Sequence, residues 1–262
     1  MAKFVTYVLN LDRHPDRLAR MTQQATAAGI AFERIPAVDA SLLSDTAMDA
    51  LVAPNGPIPR MPKGARACTA SHIDMYRRFL KTDVDYALIL EDDAVLSPDL
   101  GPDVAGLVRD GAFDVLNLNR QTPRGAVKKL VVGRQGRQVA GFDVRRLAGI
   151  HYGTAGYLIS RHAAQVVLSV YPRPNAPIDH MLFNPNVSKL FGMLRIEQAF
   201  PALVKPQEDE ASSIQTVAVD GSDSLWNKLR RTRAEVSNVP KLLILAAMKR
   251  VEVKQLLWKG PE

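Results

Sequence analysis

Three consecutive carboxylates, Glu91-Asp92-Asp93, end an unbroken apolar run, Tyr86-Ala87-Leu88-Ile89-Leu90. A short run of this kind reads as a buried strand of a parallel sheet. Side chains alternate across a strand, so a chain that stays extended through the acids points Glu91 and Asp93 one way and Asp92 the other. Converging carboxylates suit hard divalent cations such as Mg²⁺ or Mn²⁺, which take oxygen ligands and sit between carboxylates and substrate phosphates. The carboxyl end of a parallel strand is also where open α/β sheets place their ligands. Acid triplets elsewhere cap helices or occupy solvated turns. Here Ser97 can cap and Pro98 can open a following helix to about Arg109, which leaves Asp92 and Asp93 without a capping task.

His72 is the next candidate, inside a helical stretch from Ala65 to Leu80. A histidine on a helix is often a packing or hydrogen-bonding residue, and both that role and a catalytic one stay open. Cys68, four residues earlier, shares its face. As the single cysteine of the chain it excludes an intrachain disulfide and a cysteine-based metal cluster, fits a reducing compartment, and reads as core. Gly153 and Gly156 relieve crowding in a strand or let a ligand approach the backbone.

The elements that position these residues alternate strand and helix. Phe4 to Leu11 reads as a buried strand and Asp16 to Ala28 as a helix ending at Gly29. Phe32 to Ile35 gives a short strand and Leu42 to Leu51 a short helix. Residues 53–64 carry Pro54, Pro57, Pro59 and Pro62 and read as a stiff irregular loop. Val115 to Leu118 reads as a strand, residues 120–138 as a basic hairpin or loop, Tyr152 to Ile159 as a Gly-bearing strand, and Ser160 as the cap of a helix to Tyr171. This alternation predicts an α/β fold.

Of 262 residues, 47% are hydrophobic and 23% charged, an ordinary globular composition without repeats. The formal charge of +7 is concentrated at the C-terminus: residues 224–262 hold nine Lys or Arg against three acids, so that tail alone carries +6. Few aromatic residues accompany this basic stretch, which argues against a nucleic-acid partner. Leu225, Trp226, Leu229, the run Leu242 to Met248 and Leu256-Leu257-Trp258 interleave with its lysines. The pattern resembles a pair of interfacial helices broken at Pro240, suited to peripheral contact with an anionic membrane, or a helix packed on the domain with a charged outer face. No apolar run approaches the roughly 20 residues of a membrane span, and the apolar N-terminal segment lacks the marks of a signal peptide.

Taken together and in order, several segments resemble glycosyltransferase family 25, the lipooligosaccharide galactosyltransferase type. They are Val8-Leu9-Asn10-Leu11 with Arg13 and Arg17; Ala37-Val38-Asp39; Gly64, Cys68, Ser71 and His72; the strand ending in Glu91-Asp92-Asp93; Gly153-Thr154 with Gly156-Tyr157; Pro177-Ile178-Asp179-His180; and Ser212-Ser213-Ile214. The resemblance implies a GT-A-like, Rossmann-type nucleotide-sugar fold over residues 1–221, followed by a basic amphipathic helical tail over 222–262. It implies a UDP-sugar donor, UDP-galactose first, a Mn²⁺ or Mg²⁺ ion, and a glycan or glycolipid acceptor at the cell surface. By position, Asn10, Leu11, Arg13 and Arg17 would lie near the nucleotide, Asp39 beside the uridine or ribose, and Gly156 at the donor. Asp93, with Asp92 and Glu91, would hold the metal. Asp179 would be the general base of an inverting transfer, with His72 as a second catalytic candidate. The chain departs from the family pattern at Ala65, where a Glu is usual, and at Ala40, where a Gly is common. The expected location is cytoplasmic, peripheral on the inner face of the membrane. The competing readings are a noncatalytic sugar-nucleotide or glycan-binding module of the same fold and a metal-dependent nucleotidyltransferase. The absence of a P-loop-type glycine-rich motif weighs against the latter.

Overall fold

The computed structural model describes residues 2–59, 61–121, 127–207, 229, 232–233 and 236–261. The Ser212-Ser213-Ile214 segment and the tail residues Leu225 and Trp226 lie outside them.

β1 (Phe4–Asn10) lies parallel between β2 (Glu33–Pro36) and β3 (Tyr86–Glu91), with Leu9 opposite Glu91 and Asn10 opposite Pro36. β1 and β3 are covered on both faces, which is why they read as near-continuous apolar runs. Alternate residues serve opposite layers. Tyr7, Leu9, Ala87 and Ile89 pack with Ile73, Tyr76 and Phe79 of α3 (Lys63–Phe79) and with Ala163 and Val167 of α5 (Arg161–Val170). Val8, Leu88 and Leu90 pack with Met21 and Ala25 of α1 (Pro15–Ala27) and with Val104 and Leu107 of α4 (Leu100–Asp110). α1 buries Arg17, Met21 and Ala25, four residues apart on one face. It stops at Gly29, whose φ of +68° a glycine adopts without strain. A short helix, α2 (Asp45–Leu51), starts where the Ser44 side chain accepts the Ala47 N–H.

Beyond β3 the sheet becomes mixed. β8 (Gly156–Ser160) runs antiparallel between β3 and β5 (Val115–Asn117), and β9 (Ile196–Phe200) runs parallel to β5. β7 (Phe142–Leu147) and β6 (Lys129–Val139) add an antiparallel hairpin, so the expected hairpin or loop over residues 120–138 holds only the first strand of a hairpin that extends to Leu147, with residues 122–126 outside the described ones. Ser160 caps α5 by accepting the Ala163 N–H, as expected. The result is the α/β, GT-A-like sandwich that the sequence implies. Among the described residues its main sheet has nine strands.

Two expectations change. The helix after the acids is not opened by Ser97 and Pro98: α4 begins at Leu100 with Asp99 at its cap position, and the Ser97 hydroxyl is buried without a hydrogen-bond partner. A short strand, β4 (Ala94–Leu96), intervenes and pairs antiparallel with β10 (Val204–Pro206). Glu91 therefore ends β3 while Asp92 and Asp93 form the β3–β4 turn, free of any capping task for a reason the sequence did not suggest.

The second change concerns the tail. Helical residues at 229, 232–233 and 236 give way to a turn at Ser237 and Asn238, and Pro240 lies in the first turn of the helix that follows, α7 (Val239–Ala247), where a missing N–H costs nothing. After α7, β11 (Val251–Gln255) joins the edge of the main sheet, antiparallel to β6. Lys254 pairs with Asp143 at 2.6 Å, Arg145 with Glu252 at 3.2 Å and Lys259 with Asp103 at 2.6 Å. Part of the tail's charge is thus spent on docking to the body.

Candidate functional site

The carboxyl ends of β1 and β3 open into a cavity lined on one side by Leu11, Arg13 and Arg17, and on the other by Glu91, Asp92 and Asp93. Its remaining wall comes from Val38 and Ala40 after β2 and from Cys68 and Ser71 on α3. Ser71 fixes that wall: its hydroxyl accepts the Val38 N–H at 2.8 Å and donates to the Ala67 carbonyl at 2.8 Å.

The chain turns at Asp92, so the three acids fan around the cavity instead of alternating across an extended strand. Asp92 faces β1, where it accepts from Asn10 Nδ2 at 2.7 Å and pairs with Arg17 at 3.5 Å. Burial raises its pKa, and Asn10 and Arg17 offset part of that rise. Glu91 faces α3 and β8. Burial would raise its pKa, but His72, with Nε2 at 3.4 Å, and the Thr154 hydroxyl outweigh it and hold the carboxyl below its ordinary value. Asp93 is the crowded member. One of its oxygens is buried without a hydrogen-bond partner. Burial first, then the charges of Glu91 and Asp92, push its pKa up to about 7, with Arg17 opposing.

Oxygen donors, one of them buried and unpartnered, under mutual repulsion, are what a hard divalent cation requires. The residues present therefore fit such an ion.

None of the remaining candidates, Asp179 included, lines the cavity itself. Asp39 stands behind Arg13, paired with it and accepting from Ser41; burial would raise its pKa, but the Ser41 and Arg13 contacts prevail and hold it at about 2. Asp179 accepts from the Gly153 N–H at 3.1 Å and from its neighbour His180 N–H at 2.8 Å, in the first turn of α6 (Ile178–Phe183). It is close enough that its charge, after burial and Glu91, helps to push the Cys68 thiol pKa up.

A family model described as glycosyltransferase family 25 (LPS biosynthesis protein) matches residues 4–182. The chain belongs to glycosyltransferase family 25. Among its relatives, a glycosyltransferase 25 family member of Aedes aegypti is 30% identical, covering 70% of this chain and 32% of the relative. The lacto-N-neotetraose biosynthesis glycosyltransferase LgtB of Neisseria meningitidis is 24% identical, covering 94% of this chain and 92% of the relative. Procollagen galactosyltransferase 1 of Danio rerio is 25% identical over 67% of this chain and 30% of the relative. The chain thus spans about a third of the length of the animal relatives it matches. A solved glycosyltransferase involved in glycosylation of the PBCV-1 major capsid aligns with 90% of this chain and 98% of its own, with a TM-score of 0.42 and 9% identity.

In this family 25 chain, six sequence candidates line the cavity directly: Leu11, Arg13, Arg17, Glu91, Asp92 and Asp93. Asn10, Asp39 and His72 act from behind through Asp92, Arg13 and Glu91. Gly156 departs from its expected role. A Cβ there would come within 2.5 Å of a Val204 methyl, so its bare face is filled by β10 and is not open to a donor. Gly153 is the more constrained glycine, with φ of +79° and the Gln121 side chain over it.

Sequence reasoning gave no role to Arg34, whose Nε donates to Asn10 Oδ1 at 2.9 Å, nor to Thr154 or the tyrosines behind His72. Tyr76 sits four residues after His72 on one helix face, and Thr154 and Tyr157 fall within segments that carry the family resemblance.

Proposed function

We propose that this chain transfers a hexose, galactose first, from a UDP-sugar to a hydroxyl of a cell-surface glycan or glycolipid, with inversion at the anomeric carbon. The observation that carries this reading is the meeting of Arg13 and Arg17 with Glu91, Asp92 and Asp93 around one cavity at the carboxyl ends of β1 and β3. Family membership and a relative named for galactosyl transfer support the choice of sugar.

In this reading, Arg13 and Arg17 face the donor diphosphate, and charge-assisted hydrogen bonds orient it. Asp93 and Asp92, with Glu91, would hold a divalent cation, which when bound neutralises charge on the diphosphate. Asn10 keeps Asp92 turned toward the cavity. Asp179 takes the proton of the acceptor hydroxyl as its oxygen attacks, and two backbone N–H groups hold that carboxylate in a fixed direction. The basic tail would hold the enzyme against the inner face of the cytoplasmic membrane, where a glycolipid acceptor resides.

The test is release of UDP from UDP-galactose with Mn²⁺ or Mg²⁺ and a glycan acceptor. Acceptor-dependent release supports the reading. Binding of UDP without turnover would favour a noncatalytic module, and release of diphosphate from a nucleoside triphosphate would favour nucleotidyl transfer.

A further inference from the structure

Behind the three acids lies a second set of donor atoms of different character. His72 is fully buried, and its two ring nitrogens are used unequally. Nδ1 is 2.7 Å from the Tyr157 hydroxyl, which is in turn 2.5 Å from that of Tyr76. Nε2 has no hydrogen-bond partner and lies 3.4 Å from Glu91 Oε1. One helical turn earlier, Cys68 presents its sulfur to the same point. The sulfur of Cys68, a ring nitrogen of His72 and a carboxylate oxygen of Glu91 all lie within 4.8 Å of one another.

We propose that Cys68, His72 and Glu91 form a binding site for a borderline-soft divalent cation, Zn²⁺ in particular, at the floor of the cavity and separate in chemistry from the oxygen set of Asp92 and Asp93. Thiolate and imidazole select such ions over Mg²⁺ or Mn²⁺, which prefer oxygen alone. Three protein ligands leave a tetrahedral ion one open position, and Cys68 lines the cavity to which that position would open. The supporting contacts are those a histidine ligand needs. A proton on Nδ1, donated to Tyr157, leaves the Nε2 lone pair directed at the site, and the Tyr157–Tyr76 contact carries that order further into the core. The Thr154 hydroxyl orients Glu91 in the same way. Binding forms a sulfur–metal bond and releases the Cys68 thiol proton to solvent. The site stands whether or not the donor is a UDP-sugar. A further consequence, which does rest on the sugar-transfer reading, is that a zinc-loaded chain has Glu91 withdrawn from the oxygen set.

Cobalt is the direct probe. Titrating the metal-free full chain with Co²⁺ should produce a thiolate-to-cobalt charge-transfer absorption in the near ultraviolet, together with the intense visible bands of a tetrahedral ion, and Zn²⁺ should abolish both. Because Cys68 is the only cysteine, the charge-transfer band can have no other protein source. Cys68→Ser should lose it while circular dichroism shows an intact fold. His72→Gln and Glu91→Gln should each weaken Co²⁺ binding by about 100-fold or more, while Asp93→Asn should leave the band in place. Absence of a thiolate band in the folded wild type overturns the proposal. So does a band of undiminished affinity in both His72→Gln and Glu91→Gln, which separates a ligand set from a lone thiol.

Discussion

Asn10 Nδ2 donates a 2.7 Å hydrogen bond to Asp92 Oδ2, tying the end of β1 to the turn that follows β3. The same amide group donates to the His14 carbonyl at 2.9 Å, and its oxygen accepts from Arg34 Nε at 2.9 Å. One buried side chain therefore holds three strands' ends and the start of α1 in register around the cavity. Asn10→Ala should leave the Asp92 carboxylate and the Arg34 guanidinium each short of a partner, at a cost of about 2 kcal/mol. A lower urea midpoint with unchanged slope would register this, and weaker UDP binding should accompany it. A variant as stable as the wild type would show that the network is not what fixes Asp92.

Asp93 places stability and activity in opposition. Its carboxyl is buried, one oxygen lacks a partner, and its pKa rises to about 7, mainly through burial and the neighbouring acids. For an acid whose folded pKa is raised above its unfolded value, the metal-free protein loses stability as pH rises, through the folded pKa. Asp93→Asn removes that charge with little change in shape. The metal-free variant should therefore match the wild type only below about pH 4, draw ahead of it in denaturant midpoint as pH rises from about 4 to about 7, and keep a constant lead above that. Metal-supported turnover should fall on the order of 100-fold. Equal pH profiles for the two proteins would contradict the crowding of the three acids.

His151 gives a pH dependence of the opposite sign. It is fully buried, with Nε2 3.0 Å from the Asn119 carbonyl oxygen. Burial first, then the charge of Lys128, lowers its pKa from 6.5 to about 3. A depressed folded pKa means that the unfolded chain binds a proton the native state refuses. Stability is thus complete above the ordinary histidine pKa and declines as pH falls below it, by up to about 1.4 kcal/mol per pH unit. Because Asp93 contributes an opposing slope over the same range, urea unfolding followed from about pH 7 to about pH 5 should show the His151 slope in an Asp93→Asn background, and adding His151→Gln should flatten it by one proton.

The legibility of the sequence follows the range of the interactions. β1, α1, β3 and α5 were readable because burial on both faces, a four-residue apolar spacing or a serine cap is written in adjacent residues. The acids were readable for the same reason, as an abrupt end to an apolar run. Their orientation was not, because the turn at Asp92 and the interposed β4 depend on pairing with β10 more than a hundred residues away. Gly156 was misread likewise: what fills the space beside it is Val204, which no local pattern reveals. The Cys68–His72–Glu91 convergence was half visible, since two members share a helix face and the third arrives from a strand.

Asp179 is the most direct test of the transfer chemistry. Its two oxygens are held by the Gly153 and His180 N–H groups, so Asp179→Asn keeps size and shape but forfeits the lone-pair basicity needed to take a proton. Turnover should fall about 10²–10⁴-fold while the dissociation constant for UDP stays near the wild-type value. A purely structural carboxylate would behave otherwise: the amide would disturb the Gly153 backbone and lower thermal stability, with turnover falling only as the folded fraction falls.

The tail calls for point substitutions, because deleting it would strip β11 from the sheet edge and confound binding with unfolding. On α7, Leu242 and Leu245 are half-buried, whereas Val239, Leu243, Ile244 and Met248 are exposed, at 42%, 66%, 61% and 53%. An outward face this apolar, flanked by exposed Lys241, Lys249 and Arg250, matches an anionic lipid surface in both its apolar and its charged parts. Leu243→Glu with Ile244→Glu should abolish sedimentation with phosphatidylglycerol vesicles and leave the melting temperature unchanged, since neither residue is packed. Lys241→Gln with Arg250→Gln removes two cations worth about 1 kcal/mol each, so affinity should drop roughly 30-fold at low salt and much less at high salt. If the glutamate pair changes oligomeric state and not vesicle binding, the face covers another protein copy and the membrane assignment of the tail fails.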